Sequence, residues 1–135
     1  EFVPPDGSPM APAEDRDSLY AGIAGLAPVL AEIAQYRPLR DTEQALARRV
    51  VARLSVGAST RTEPSLYDGL AGDVTALRLL APGTEATALR RLAELATPDG
   101  WQTTAQLDPG SAAPMRDLVL GTAGVVLATV WAGGD

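Results

Sequence analysis

The sequence contains neither cysteine nor histidine. It therefore has no disulfide bonds, no thiolate or imidazole ligands for a metal, and no Ser-His-Asp or Cys-His nucleophile. Aromatic residues make up only 4% of the chain, and lysine is absent, so that all positive charges are arginine. The net charge is −6. This acidic balance argues against binding to nucleic acids or to anionic membranes, both of which require a basic surface.

The longest apolar run covers 118–134 and is interrupted by Thr122 and Thr129. It is shorter than the roughly 20 apolar residues that a membrane-spanning helix needs, so we expect a core helix and no membrane span. The lack of cysteine is typical of proteins in reducing compartments, and we predict a cytoplasmic protein. The length of 135 residues predicts one domain.

Residues 1–17 differ in composition from the remainder of the chain. They contain four prolines, Pro4, Pro5, Pro9 and Pro12, and few side chains that could form a core. This composition predicts a flexible, proline-rich lead-in or linker. The folded part is then expected at 18–135.

Alanine and leucine dominate 18–135, and apolar side chains recur every three or four residues, which predicts an all-α fold. We predict three apolar helices at about 23–36, 66–81 and 117–131. Two amphipathic helices are predicted between them, at about 42–55 and 84–97. The apolar helices should be almost fully buried, and the amphipathic helices should lie at the surface.

A short motif occurs three times, starting at Ser18, Ser65 and Asp117, at intervals of about 50 residues. Each copy contains Gly-x-x-Gly at the predicted start of an apolar helix. The glycines are Gly22 and Gly25, Gly69 and Gly72, and Gly121 and Gly124. They match neither a phosphate-binding loop nor a dinucleotide-binding loop, and we interpret them as structural glycines that admit a neighbouring backbone. Each unit is an αα-hairpin that must pack against its neighbours.

Two of the copies resemble the repeat signatures of the lanthionine synthetase C-like family, the cyclases of lanthipeptide biosynthesis and their relatives. The motifs are Ser-Leu-Tyr-Asp-Gly-Leu-Ala-Gly at Ser65–Gly72 and Asp-Leu-Val-Leu-Gly-Thr-Ala-Gly-Val-Val-Leu-Ala at Asp117–Ala128. The resemblance covers about 18–135. It implies an α/α toroid with the apolar helices inside and the amphipathic helices outside. The chain would then be the first three repeats of an incomplete ring.

The resemblance also implies a chemistry, peptide modification by addition of a cysteine thiol to a dehydrated serine or threonine. Family cyclases hold a zinc ion with two cysteines and one histidine of later repeats. This chain has none of these ligands. We therefore expect no metal or cofactor in it, zinc only where further repeats supply the ligands, and no activity of this chain alone.

The resemblance implies a role in proton handling or substrate positioning for Asp117, which precedes the third glycine pair. The residue itself is equally suited to capping a helix, because the helix dipole favours an anion at that end. Asp68, Tyr67 and Tyr20 are candidates for substrate contact at the same end of the other helices. Capping is the alternative for Asp68, and packing is the alternative for the tyrosines.

Three functions are open at this point. The first is part of a lanthionine synthetase C-like protein with a peptide substrate. The second is a zinc-free relative that acts as a peptide-binding or scaffolding toroid. The third is another α/α toroid enzyme, such as a glycosidase or terpene-cyclase-like protein, which would need paired carboxylates or aspartate-rich metal motifs. In each case we expect carboxy-terminal repeats absent from this chain, or self-association, to cover the last apolar helix.

Overall fold

The computed structural model describes residues 16–104 and 113–133. These ranges contain five α-helices and no strand, which confirms the all-α prediction. The helices are α1 (Leu26–Tyr36), α2 (Asp41–Gly57), α3 (Leu70–Leu80), α4 (Ala86–Leu95) and α5 (Thr122–Gly133). A 3-10 turn, Ile23–Gly25, precedes α1. Of the predicted lead-in at 1–17, the first fifteen residues lie outside the described ranges.

In the helix predicted at 23–36, the first three residues form a 3-10 turn, and α1 begins at Leu26. The other two apolar helices also begin later than the sequence predicts. The helix predicted at 66–81 begins at Leu70, and the helix predicted at 117–131 runs from Thr122 to Gly133. The residues just before each helix form a loop that is closed by the first helical amide. The amide of Leu70 donates to the carbonyl of Glu63, and Gly69 has extended backbone angles (φ −138°, ψ −158°). A continuous helix cannot include that extended residue.

The amphipathic helices differ from the prediction by one or two residues at each end. α2 begins at Asp41 rather than 42 and continues to Gly57. Glu43 supports its start by accepting a hydrogen bond from the Arg40 amide (2.8 Å). α4 is shorter than 84–97, because the buried carboxylate of Glu85 accepts the Gly83 amide (2.6 Å) and holds the preceding residues in a turn.

α3 lies at the centre of the fold. It packs against α1 on one side and against α5 on the other, while α2 packs against α1 and α3, and α4 packs against α3. One core cluster joins α3 to α4 and α5, and a second joins α3 to α1 and α2. α3 is therefore buried along most of its length, as the sequence predicts for an apolar helix.

The prediction of almost complete burial is wrong for α1 and α5. On α1 only Ala27 and Leu30 are buried. On α5 the buried residues lie on one face, and the opposite face exposes Val126, Leu127, Val130 and Trp131. The reason is that, among the described residues, α3 is the only apolar helix that either of them contacts extensively. No helix in the described ranges has both the length and the apolar character needed to cross a membrane.

Candidate functional site

The three motif copies form loops that share two backbone hydrogen bonds. In each loop the amide that follows the first glycine donates to a carbonyl seven residues earlier. These bonds run from Ile23 to Arg16 (2.9 Å), from Leu70 to Glu63 (2.9 Å) and from Thr122 to Met115 (2.8 Å). In each loop the amide of the second glycine also donates to the carbonyl of the first, at 3.0–3.2 Å. The sequence repeat is therefore a structural repeat.

Hydrogen bonds between equivalent positions join the three loops in order. The amide of Tyr20 donates to the carbonyl of Tyr67 (3.1 Å), and the amide of Tyr67 donates to the carbonyl of Val119 (3.1 Å). Tyr20, Tyr67 and Val119 occupy the same place in the three motif copies. The loops thus lie side by side at the end where α1, α3 and α5 begin.

The glycines stand where the backbone leaves no room for a side chain. A Cβ at Gly72 would lie 2.5 Å from the carbonyl oxygen of Leu66 and 3.1 Å from the Cβ of Leu19. A Cβ at Gly124 would lie 2.9 Å from the Cβ of Leu66. The leucine of one loop therefore packs against the second glycine of the next. A Cβ at the first glycine of each pair, Gly22, Gly69 and Gly121, would meet backbone atoms of its own loop.

The loops bring two of the candidate residues into direct contact. The rings of Tyr20 and Tyr67 are stacked, with centroids 5.9 Å apart and planes 18° apart. Tyr20 is 78% exposed, whereas Tyr67 is half-buried and packs against the core cluster of α3, α4 and α5. The pair presents an aromatic surface at the end where the apolar helices begin.

Asp117 lies in the third loop, exposed, and accepts hydrogen bonds from its own segment. Its Oδ1 atom accepts the amides of Val119 (2.8 Å) and Leu120 (2.9 Å). The hydrogen bond from the Leu120 amide lowers the pKa of Asp117, and the bond from the Val119 amide adds to this effect. Together these bonds stabilise the anion by more than burial destabilises it. Ser18 has the equivalent place in the first loop, and its hydroxyl accepts the Ala21 amide (3.0 Å). The side chain of Asp117 therefore stabilises the third loop.

A largely buried ion pair that the sequence did not predict lies beside the second loop, between Asp73 of α3 and Arg61. The side chain of Asp73 is 1% exposed, and both its oxygens lie 3.3 Å from Nη1 of Arg61. Nη2 of Arg61 donates to the carbonyl of the candidate residue Asp68 (2.7 Å), which is half-buried. The sequence did contain a signal, because Asp73 stands where the other motif copies have Leu26 and Val125.

Glu63 is a second polar centre that the sequence analysis missed. Its carboxylate accepts the amides of Ser65 (3.0 Å) and Thr104 (2.6 Å) and the hydroxyl of Thr103 (3.0 Å). Burial raises the pKa of Glu63, but the hydrogen bonds from Thr104 and Ser65 outweigh burial, so that the pKa is lowered. The carboxylate ties the segment after α4 to the second loop. No pattern around Glu63 distinguishes it in the sequence.

An apolar groove of about 290 Å³ lies between α3 and α5, beside the first two loops. It is lined by Leu19, Leu66, Thr75, Leu127, Ala128 and Trp131. The groove is smaller than a typical drug-sized pocket and has room for an apolar side chain. The stacked tyrosines, the groove and Asp117 are all on or next to the loops.

The zinc site of the cyclases does not fit the residues of this chain. The sequence has neither cysteine nor histidine. In 16–104 and 113–133 no group of three or more aspartates and glutamates is arranged to hold a metal ion. The carboxylate of Asp117 is engaged with backbone amides.

Comparison of the chain with protein-family models, with curated proteins and with solved structures finds no match. The resemblance to the lanthionine synthetase C-like family therefore rests on the motifs at Ser65–Gly72 and Asp117–Ala128 and on the spacing of the three copies.

Proposed function

We propose that this chain forms three consecutive repeats of a lanthionine synthetase C-like α/α toroid whose repeat loops contact a peptide. The observation that supports this proposal is the arrangement of the three loops, which share one hydrogen-bond pattern and follow one another in order. In a ring of such units, α1, α3 and α5 are the inner helices, and α2 and α4 are the outer helices. Repeat units of this kind are stable only when neighbours cover their apolar faces.

The surface around the loops suits a peptide better than a small polar metabolite. The exposed ring of Tyr20 and the apolar groove offer contacts for apolar side chains. Asp117 adds an exposed carboxylate that attracts a basic side chain or a peptide amino group. In the proposed reaction, cysteine sulfur bonds to the β-carbon of a dehydrated residue, the carbon–carbon π bond breaks, and the thiol proton passes to the α-carbon. The part assigned to this chain is binding and positioning of the peptide.

A second candidate is a zinc-free scaffold that binds peptides without modifying them. It requires only the exposed aromatic and apolar surface at the loops and none of the zinc ligands, which the cyclases carry in later repeats. The two candidates differ in whether further repeats of the same ring carry two cysteines and one histidine. Both require peptide binding at the loops.

Fluorescence anisotropy of a short labelled peptide that contains one cysteine and one dehydroalanine tests this requirement. We expect the parent chain to bind the peptide and Tyr20→Ala to weaken binding by about tenfold, because aromatic residues often dominate peptide interfaces. Tyr20→Phe keeps the ring and should bind like the parent. Tyr36→Ala is the matched control, because Tyr36 is 81% exposed but lies at the other end of α1. Equal affinity of parent and Tyr20→Ala, or no binding by the parent, would refute the proposal.

A further inference from the structure

Neighbouring repeats contact each other in the same way twice within the chain. The first and the last repeat each expose one side of this contact. Leu19 packs against Gly72, and Leu66 packs against Gly124. The third leucine of this series, Leu118, is exposed. Gly25 is the equivalent of Gly72 and Gly124 in the first loop. The atoms that a Cβ at Gly25 would meet belong to Leu19 of the same loop. In the described ranges, Leu118 therefore has no next glycine to contact, and Gly25 receives no leucine from a preceding loop.

The exposed face of α5 contains a position by which the other repeats contact the repeat after them. Val126 occupies the place that Ala27 and Val74 hold in the first two repeats. Ala27 and Val74 are completely buried, in the clusters that join α1 to α3 and α3 to α5, respectively. Val126 is 43% exposed. A position that is buried against the next repeat in the first two repeats is therefore exposed in the third.

The exposed face of α1 contains a position by which the other repeats contact the repeat before them. Val29 occupies the place of Ala76 and Ala128 in the second and third repeats. Ala76 is buried in the cluster shared with α1, and Ala128 is buried in the cluster shared with α3. Val29 is 55% exposed. Each repeat therefore contacts its predecessor with the positions around Val29 and its successor with the positions around Val126.

We propose that two copies of this chain associate head to tail, with the exposed face of α5 in one copy packed against the exposed face of α1 in the other. A second copy presents both missing halves of the contact in the same register as the internal contacts. Such a contact is heterologous, so that it extends into a ring or into an open series of copies. This inference depends on the repeat geometry and does not depend on peptide binding.

Charge sets a second expectation for this association. Each copy carries a net charge of −6, so that copies repel one another at low ionic strength. Salt screens this repulsion, while the apolar contact between α5 and α1 remains. The association should therefore strengthen as salt is raised, which is the opposite of an association held by ion pairs.

Sedimentation velocity of the whole chain at increasing protein and salt concentration tests the proposal. We expect the mass of the parent to rise above 14.0 kDa. Val126→Asp and Val29→Asp, which each place a charge on one of the two faces, should remain at the mass of one chain. Val56→Asp is the control, because Val56 is 80% exposed on α2 and lies on neither face. Circular dichroism must show the same helix content in all four proteins.

A mixture of the two face variants gives the sharpest test. Val29→Asp retains the α5 face, and Val126→Asp retains the α1 face, so that the mixture can form one junction. We expect a dimer of one copy of each, although neither variant dimerises alone. The proposal is overturned if the parent remains at 14.0 kDa up to about 1 mM, if the mixture stays monomeric, or if either face variant dimerises by itself.

Discussion

Replacement of Gly72 by alanine tests whether the close approach of neighbouring loops holds the fold together. The added Cβ would lie 2.5 Å from the carbonyl oxygen of Leu66, almost 1 Å closer than ordinary van der Waals contact. It would also lie 3.1 Å from the Cβ of Leu19. The oxygen belongs to the backbone of a loop that is hydrogen-bonded to both neighbours, so it cannot move away without disturbing them.

The expected change combines two opposed effects. Alanine is favoured over glycine within a helix by about 1 kcal/mol. Overpacking of a tight site costs about 1–3 kcal/mol, and sometimes more when the backbone must shift. Because the clashing atom belongs to the backbone, we expect the upper half of that range, about 2–3 kcal/mol, for Gly72→Ala. The net loss in the free energy of unfolding is then about 1–2 kcal/mol. For a domain of this size the loss corresponds to a decrease of about 3–10 °C in Tm.

Gly57→Ala is the matched control for this prediction. Gly57 is the last residue of α2, and a Cβ there would meet no heavy atom within 4 Å. The same chemical change should therefore stabilise the chain by up to about 1 kcal/mol. Thermal unfolding followed by circular dichroism gives both values. If Gly72→Ala unfolds at the same temperature as the parent or at a higher one, the packing of neighbouring loops does not require a glycine at this position.

Two further predictions concern the polar groups of the loops. Asp73→Ala should lower the free energy of unfolding by about 3–5 kcal/mol, because it removes the carboxylate from the largely buried charge of Arg61. The double variant Arg61→Met with Asp73→Leu should unfold in urea close to the parent. A double variant that is as unstable as Asp73→Ala would contradict this assignment. Asp117→Ala should destabilise the chain by about 0.5–2 kcal/mol, while Asp117→Ser, which copies Ser18 of the first loop, should not. The pKa of Asp117 is lower in the fold, so its contribution is present above its ordinary pKa and is lost as the pH falls through the lowered value. Asp117→Ser should therefore lose less stability than the parent on acidification, and equal losses would contradict the role assigned to these hydrogen bonds.

The repeat and the order of the helices could be predicted from the sequence, because both are local patterns. Apolar spacing located all five helices within the described ranges, and the Gly-x-x-Gly copies marked their loops. The starts of α3 and α5 could not be predicted in the same way. Leu66–Gly69 and Asp117–Gly121 have the composition of a helix, but a hydrogen bond across each loop bends them into another conformation. That bond depends on the packing of neighbouring loops.

The candidate site was predictable in part. The motif copies indicated that Tyr20, Tyr67, Asp68 and Asp117 lie at the same end of their helices, and the structure places them in three adjacent loops. The contact between the two tyrosine rings depends on the distance between loops, which periodicity does not define. The network around Glu63 joins residues some forty positions apart, and no local pattern reports such a pair.

The burial of an apolar helix depends on its neighbours as well as on its own sequence. α5 is more apolar than α3, yet α3 is buried on both sides and α5 on one. Because Val126 and Val29 occupy positions that are buried in the other repeats, their exposure follows from their place at the two ends of the series. A junction with a further copy would bury Val126 of one copy and Val29 of the next. The exposed apolar surface of α1 and α5 is therefore a property of the repeat, and its partner should present the same repeat geometry.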